Sequence, residues 1–227
     1  MKVSVAGEDL ELLPGRAIYW AARKILIFSD VHFGKPESFQ AMGIPIPSGA
    51  HLEDISRIEK LLELTSPDEV FILGDLIHNK KSWSEDIQKS LNDFFCQHAE
   101  VRWHLLLGNH EKGSKPFLDK LPINLIEGDF PAEPFLFSHG HDSGYRKESQ
   151  FVIQGHIHPV IRLHHGAIRL RLRCFVLDRD RLTMPSFGSL TGGFEISRAR
   201  GRRIFATTLD TVFEIPNSET NRRGVDK

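Results

Sequence analysis

The chain has 227 residues, a length that fits one large domain able to bury about 70% of its unfolded surface. Its 40% hydrophobic and 26% charged residues exclude a low-complexity chain, and no apolar run approaches the roughly 18 residues of a membrane span. A formal net charge of −1 excludes capture of a polyanion by overall attraction, so a nucleic-acid partner would need a local basic face.

Glu8 and Asp9 come too early for a secretory signal, and the two cysteines, Cys96 and Cys174, form no CxxC. A cytoplasmic protein with neither a disulfide framework nor a thiolate zinc site is expected. Residues 10–28 read as two short strands around a Pro14-Gly15 turn, with Arg23-Lys24 separating Ile18-Tyr19-Trp20 from a buried run at 25–28. Pro36, Pro45 and Pro47 predict an irregular loop over 34–47. Leu52, Ile55, Ile58, Leu61 and Leu62 recur at helical spacing and predict an amphipathic helix over 49–64. A strand at 70–73 leads to Asp75. Ser82-Trp83-Ser84-Glu85 has capping-box spacing ahead of Ile87, Leu91, Phe94 and Phe95, which predicts a helix over about 83–97 and partly buried packing for Trp83. With a strand at 101–107, the alternation is that of a partly parallel sheet covered by helices.

From about residue 122 the texture is mostly β. Arg169-Leu170-Arg171-Leu172-Arg173 alternates with period two and puts three guanidinium groups on one strand face. Val176-Leu177 and Leu182-Thr183-Met184 read as one hairpin, Ile204-Phe205 and Thr211-Val212-Phe213 as another. The polar stretch 216–227 is expected to be disordered, leaving 1–215 as a single domain.

Twelve histidines are the compositional oddity, and six of them (His32, His78, His110, His139, His156, His158) lie in polar clusters that follow apolar runs. Asp30 and His32 follow 25–28, Asp75 follows 70–74, Asn109 and His110 follow 105–107, His139 follows 135–138, and His156 and His158 follow 151–154. Ligands of open α/β sheets bind beyond the carboxyl ends of strands, so five such tips can meet around one site. If they do, one ion can take Asp30, His32 and His158, the other Asn109, His139 and His156, with Asp75 between them. Mixed oxygen and imidazole donors suit manganese, iron or zinc better than magnesium. Two such ions would hold a bridging hydroxide and clamp an ester phosphate for in-line displacement. His110 would then assist the phosphate or the leaving oxygen, and His78 would act beside it.

Ser29-Asp30-Val31-His32, Gly74-Asp75-Leu76-Ile77-His78, Gly108-Asn109-His110-Glu111, Ser138-His139-Gly140-His141 and Gly155-His156-Ile157-His158 resemble the successive motifs of the calcineurin-like metallophosphoesterases. The resemblance implies a four-layer α/β/β/α sandwich, a dinuclear metal centre and phosphoester hydrolysis. Glu111 stands where the superfamily often has Asp. Asp30 to Lys35, Phe39 to Pro47 and the Met-Pro-Ser-Phe-Gly-Ser-Leu-Thr-Gly-Gly stretch ending at Gly193 are similar to the bacterial ligase-associated DNA-damage-response endonucleases (PdeM-like). That similarity implies a manganese-dependent phosphodiesterase acting on DNA, associated with a DNA ligase and a helicase-like partner. A phosphodiesterase for a cyclic nucleotide or a 2',3'-cyclic phosphate would use the same centre, and a non-catalytic scaffold need not keep all seven ligand positions filled. Lys35, Arg169, Arg171 and Arg173 are the leading candidates for substrate contact, with Arg162, Arg198, Arg200, Arg202, Arg203, Lys80 and Lys81 as further basic positions. His141 is a candidate for a supporting role.

Overall fold

Two β-sheets with flanking helices form a mixed α/β sandwich in a computed structural model that describes residues 1–46, 49–80, 83–111, 113–141, 150–165 and 168–216. The first sheet begins as an antiparallel meander, β1 (Lys2–Val5), β2 (Glu8–Leu13) and β3 (Ala17–Trp20), that turns through Ala21–Arg23 into β4 (Ile25–Phe28). β1 lies outside the expected strands. Val3 and Val5 bury one of its faces while Lys2 and Ser4 stay exposed. β4, β5 (Glu69–Ile72), β6 (Arg102–Leu106) and β7 (Asn124–Ile126) then pair in parallel.

Parallel neighbours need crossovers. Between β4 and β5 the chain forms α1 (Lys35–Ala41) and α2 (Ala50–Thr65), and between β5 and β6 it forms α3 (Glu85–Gln97). α1 corrects the expected irregular loop over 34–47: Pro36 sits in the first turn, where a missing N–H breaks no bond, and Pro47 lies outside the described residues. α2 buries Ile55, Ile58, Leu61 and Leu62, but Leu52 is 55% exposed and Asp54 takes a buried position instead. α3 starts later than expected. Ser84 is its cap and accepts from the Ile87 amide at 3.3 Å, while Ser82 and Lys81 lie outside the described residues. Trp83 precedes the helix, half-buried against Phe117. A short α4 (Lys115–Leu118) leads towards β7.

The second sheet comprises β8 (Phe130–Ala132), β9 (Phe135–Ser138), β10 (Phe151–Gln154), β11 (Pro159–His165), β12 (Ile168–Leu177), β13 (Arg181–Thr183), β14 (Phe194–Glu195), β15 (Arg203–Thr207) and β16 (Val212–Ile215). β9, β10 and β13 run parallel. Both expected hairpins form, with Val176 opposite Thr183 and Ile204 opposite Ile215. The stretch expected to be disordered lies, beyond Pro216, outside the described residues. Aromatic rings join the two sheets: Phe71 meets Phe137 at 5.0 Å and Trp20 meets Phe135 at 4.9 Å. Period two splits β12. Phe175 and Leu177 enter this main core, whereas Cys174 and Val176 join a smaller cluster with Ile161, Ile204, Ala206 and Ile215. Arg169, Arg171 and Arg173 share the parity of Phe175 and Leu177, so the arginine face continues the core-facing side.

Candidate metal centre

Phe28 is level with Ile72, Ile72 with Leu105, and Ser138 with Gln154, so the carboxyl ends of three strands match in the first sheet and those of two in the second. The loops that leave them are zipped together. Asp30 N donates to Gly74 O at 3.1 Å, His32 N to Asp75 O at 2.9 Å, Phe33 N to Leu76 O at 2.8 Å and His78 N back to Phe33 O at 2.8 Å. Sharp turns of this kind need left-handed backbone. Five of the nine described non-glycine residues with positive φ are Asp30, His32, Asp75, His156 and His158, at 51° to 69°. Asp and His tolerate that region better than branched residues, and strain of about 1–3 kcal/mol each is held by the surrounding fold. A Cβ at Gly74 would run into the His139 ring, and one at Gly108 into the Asp75 carboxylate, so only glycine lets these backbones approach the centre.

The side chains form two adjoining groups, Asp30 with His32 and His158, and Asp75 with His139 and His156, and a third that shares His32 with His78 and His110. In the first, Asp30 Oδ1 lies 2.9 Å from His158 Nε2, and His32 Nε2 lies 3.5 Å from the same nitrogen. In the second, His139 Nε2 lies 3.2 Å from His156 Nδ1, and Asn109 Oδ1 joins them at 3.2 Å. Asp75 spans both, with Oδ2 3.7 Å from His32 Nε2 and Oδ1 3.5 Å from His139 Nε2. His110 stands at the rim. Its backbone N–H donates to Asp75 Oδ1 at 3.1 Å, its Nδ1 donates to the His78 carbonyl, and its Nε2 faces Asp75 Oδ2 at 3.8 Å. The His78 ring stacks on His110 at 5.3 Å and 25°, and His141 lies exposed with its ring 5.1 Å from His139.

These donors fit a cation. His139 Nδ1 donates to Leu73 O at 2.8 Å, which leaves the Nε2 lone pair of neutral His139 aimed at Asn109 Oδ1, His156 Nδ1 and Asp75 Oδ1. Acceptors facing one another in a buried space repel unless a positive charge stands between them. Burial alone would lower the His139 pKa, but Asp75 and Asp30 overcome it and push the pKa up to about 9: the local field calls for a cation. Burial pushes His32 down to about 3 and, with Lys35 and His110, His78 down to about 4, keeping both rings neutral. Burial raises the pKa of Asp30 and Asp75, yet the neighbouring imidazoles outweigh it and hold both carboxylates ionised.

Other residues hold these in place, and sequence reasoning missed most of them. The Ser29 hydroxyl lies 2.6 Å from Asp30 Oδ2 and 2.8 Å from Leu73 O, while the His156 amide donates to the same Asp30 Oδ2 at 2.9 Å. Glu111 is buried and accepts from the amides of Asp75, Ile77 and Gly108 at 2.8–3.2 Å. Its place in Gly108-Asn109-His110-Glu111 was the available signal. Burial and the Asp75 charge push its carboxyl up to about 7. Behind Ser29 and Asp30, the amides of Phe187 and Gly188 donate to their carbonyls at 2.8 and 3.1 Å. That loop is clamped by Arg16 and Arg57 on Phe187 O, by Arg173 on the carbonyls of Gly188, Ser189 and Thr191, and by Asp54 on Ser189 N and Oγ.

Among the basic candidates, Arg173 is thus engaged with loop carbonyls. Lys35, at the start of α1, is half-buried, and burial and then Arg173 lower its pKa; its charge in turn reaches His78. Arg169 and Arg171 are exposed on β12. Arg162, Arg202 and Arg203 pair with Glu195, Asp178 and Glu214, and Lys80, Arg198 and Arg200 are exposed.

Residues 23–190 match the calcineurin-like phosphoesterase family. The chain belongs to that family. This calcineurin-like phosphoesterase is therefore a metal-dependent phosphoester hydrolase, and its clustered Asp and His side chains are where divalent ions fit. The crystal structure of the Pseudomonas putida nuclease MPE is similar at 30% identity and a TM-score of 0.80, covering 95% of this phosphoesterase and 99% of that chain. A structure of Yfce, a phosphoesterase from E. coli, matches at 14% identity and a TM-score of 0.45 over 84% of this chain and 97% of its own. No curated protein matches the sequence. No helix among the described residues is long and apolar enough to cross a membrane.

Proposed function

We propose that this phosphoesterase is a manganese-dependent phosphodiesterase that cuts DNA, as an endonuclease or end-processing enzyme of cytoplasmic repair, working with a DNA ligase and a helicase-like protein. The observation that carries the reading is the convergence of two donor groups spanned by one carboxylate, Asp75. The 30% identity to a nuclease across nearly the whole chain supports nucleic acid as the substrate.

In this reading Asp30, His32 and His158 would hold one ion, Asn109, His139 and His156 would hold the other, and Asp75 would serve both. When bound, such a pair supplies an acidified water as nucleophile and neutralises charge on the phosphoryl oxygens. The chain does the rest. His110, its Nδ1 fixed on the His78 carbonyl, presents Nε2 to the centre, where it hydrogen-bonds a phosphate oxygen or returns a proton to the departing oxygen. His78, stacked on that ring, sets its plane. Lys35, at the mouth beside His78, attracts a second phosphate oxygen. Glu111 and Ser29 keep the loops from spreading when the anionic substrate arrives.

The test is hydrolysis of bis-p-nitrophenyl phosphate beside p-nitrophenyl phosphate by metal-stripped protein titrated with manganese. A manganese-dependent preference for the diester is expected, followed by cleavage of DNA. Silence on both esters with two ions bound would sink the catalytic reading, and a preference for the monoester would replace it with a phosphatase.

A further inference from the structure

β11 starts directly after His158, and the hairpin it makes with β12 leaves the body of the sheet. β14 pairs with β11 only at Pro159 and Val160, and β15 pairs with β12 only from Arg173 to Leu177. Among the described residues, 161–165 and 168–172 thus have only each other as ladder partners. The direction is set by register. Val176 is level with Thr183, and Thr183 with Gln154 at the carboxyl end of β10. At about 3.4 Å per residue, Arg171 and Arg169, level with Arg162 and His164, stand roughly 14 and 20 Å along the ribbon from His158, and the Arg171 guanidinium reaches back to Gly193 O.

On the face that continues the core side, Arg171 lies directly opposite Arg162, and Arg169 opposite His164. Like charges facing each other across an isolated ribbon are destabilising. Only Glu195, 2.9 Å from Arg162, answers them, and neither Arg169 nor Arg171 makes a salt bridge among the described residues. In a chain of net charge −1 this is a local concentration of guanidinium groups, one of them oriented by the Gly193 carbonyl. Guanidinium forks match phosphate geometry, and a two-stranded ribbon is narrow enough to follow a groove.

We infer that the β11–β12 hairpin is an arm that grips backbone phosphates flanking the scissile one, through Arg169 and Arg171. This rests on the reading of the enzyme as a DNA phosphodiesterase. The arm acts on polynucleotides, because a small diester bound at the centre does not extend along the ribbon to Arg169. Arg173 is the arm's root, locked to the loop behind Asp30.

The experiment follows manganese-dependent DNA cleavage by the full chain as a function of salt, for wild type and the double substitution Arg169→Ala/Arg171→Ala. Each phosphate contact contributes about 0.7–0.9 to the logarithmic salt slope, so the double variant should flatten it by about 1.4–1.8 and slow cleavage at low salt. Arg169→Lys/Arg171→Lys should restore most of the slope. An unchanged slope would overturn the arm, as would a parallel loss of bis-p-nitrophenyl phosphate hydrolysis, which would assign the defect to the centre. Wild-type protein that hydrolyses the small diester but never DNA would refute the nucleic-acid reading itself, and the arm with it.

Discussion

Two buried polar clusters touch the backbone around Asp30, and they are opposites. At the candidate metal centre the converging groups are acceptors: the carboxylates of Asp30 and Asp75, Asn109 Oδ1 and the ring nitrogens of His139 and His156. Around Asp54 they are donors, the guanidinium groups of Arg16, Arg57 and Arg173, and the carbonyls and carboxylate that receive them are already in place. The first is a set of facing acceptors that suits a cation, and the second carries its cations in its own side chains. Buried charge by itself therefore does not mark a site; the convergence of carboxylate, amide and imidazole acceptors on one space does.

The sharpest way to break this contrast is to substitute on each side. Asp75→Asn should lower manganese affinity by more than about a hundredfold, read by titration calorimetry on stripped protein, and hydrolysis should fall with it. His110→Ala should cut diester turnover by about 10²–10⁴-fold while manganese affinity stays near wild type, because His110 stands at the rim, outside the Asp30 and Asp75 groups. Equal loss of metal and activity in that variant would make His110 a ligand.

On the other side, Asp54→Ala strands Arg57 beside a lost carboxylate and should cost about 3–5 kcal/mol in urea denaturation. A variant as stable as wild type would mean that the clamp is ornamental. The centre should respond instead to pH and metal. With His139 pushed up to about 9 in the folded protein against 6.5 unfolded, its protonated ring stabilises the stripped protein fully below pH 6.5, and that contribution fades as pH rises through 9. His32 and His78, pushed down to about 3 and about 4, act the other way and remove stability as pH falls below 6.5. Stripped protein should therefore lose up to about 3 kcal/mol between pH 6.5 and 9, whereas manganese-loaded protein should not, since the ions replace the proton. Equal pH profiles with and without manganese would contradict a shared position. The smallest effect is expected for Lys35→Ala, about a fivefold to tenfold drop in kcat/KM for the diester, or roughly 1 kcal/mol.

Much of the centre was legible because it is written locally. An apolar run followed at once by Asp, Asn or His is a strand end carrying a donor, and the five runs did become β4, β5, β6, β9 and β10. Helical spacing likewise located α2 and α3, though not the exposure of Leu52 or the shift of the cap to Ser84. Prolines misled at 34–47, because Pro36 is compatible with a first helical turn.

The amino-acid sequence by itself determined the periodicities, the strand ends and the set of side chains able to hold metal, since each depends on neighbours a few residues apart. Only the tertiary structure decided that Asp75 spans two groups, that Glu111 pins three amides, and that Arg173 grips a loop whose far end, Gly193, receives Arg171. Asp54 meets Ser189 across 135 positions and Arg57 meets Phe187 across 130. No local pattern encodes such meetings: they follow from how two twisted sheets pack face to face, which is a property of the whole core.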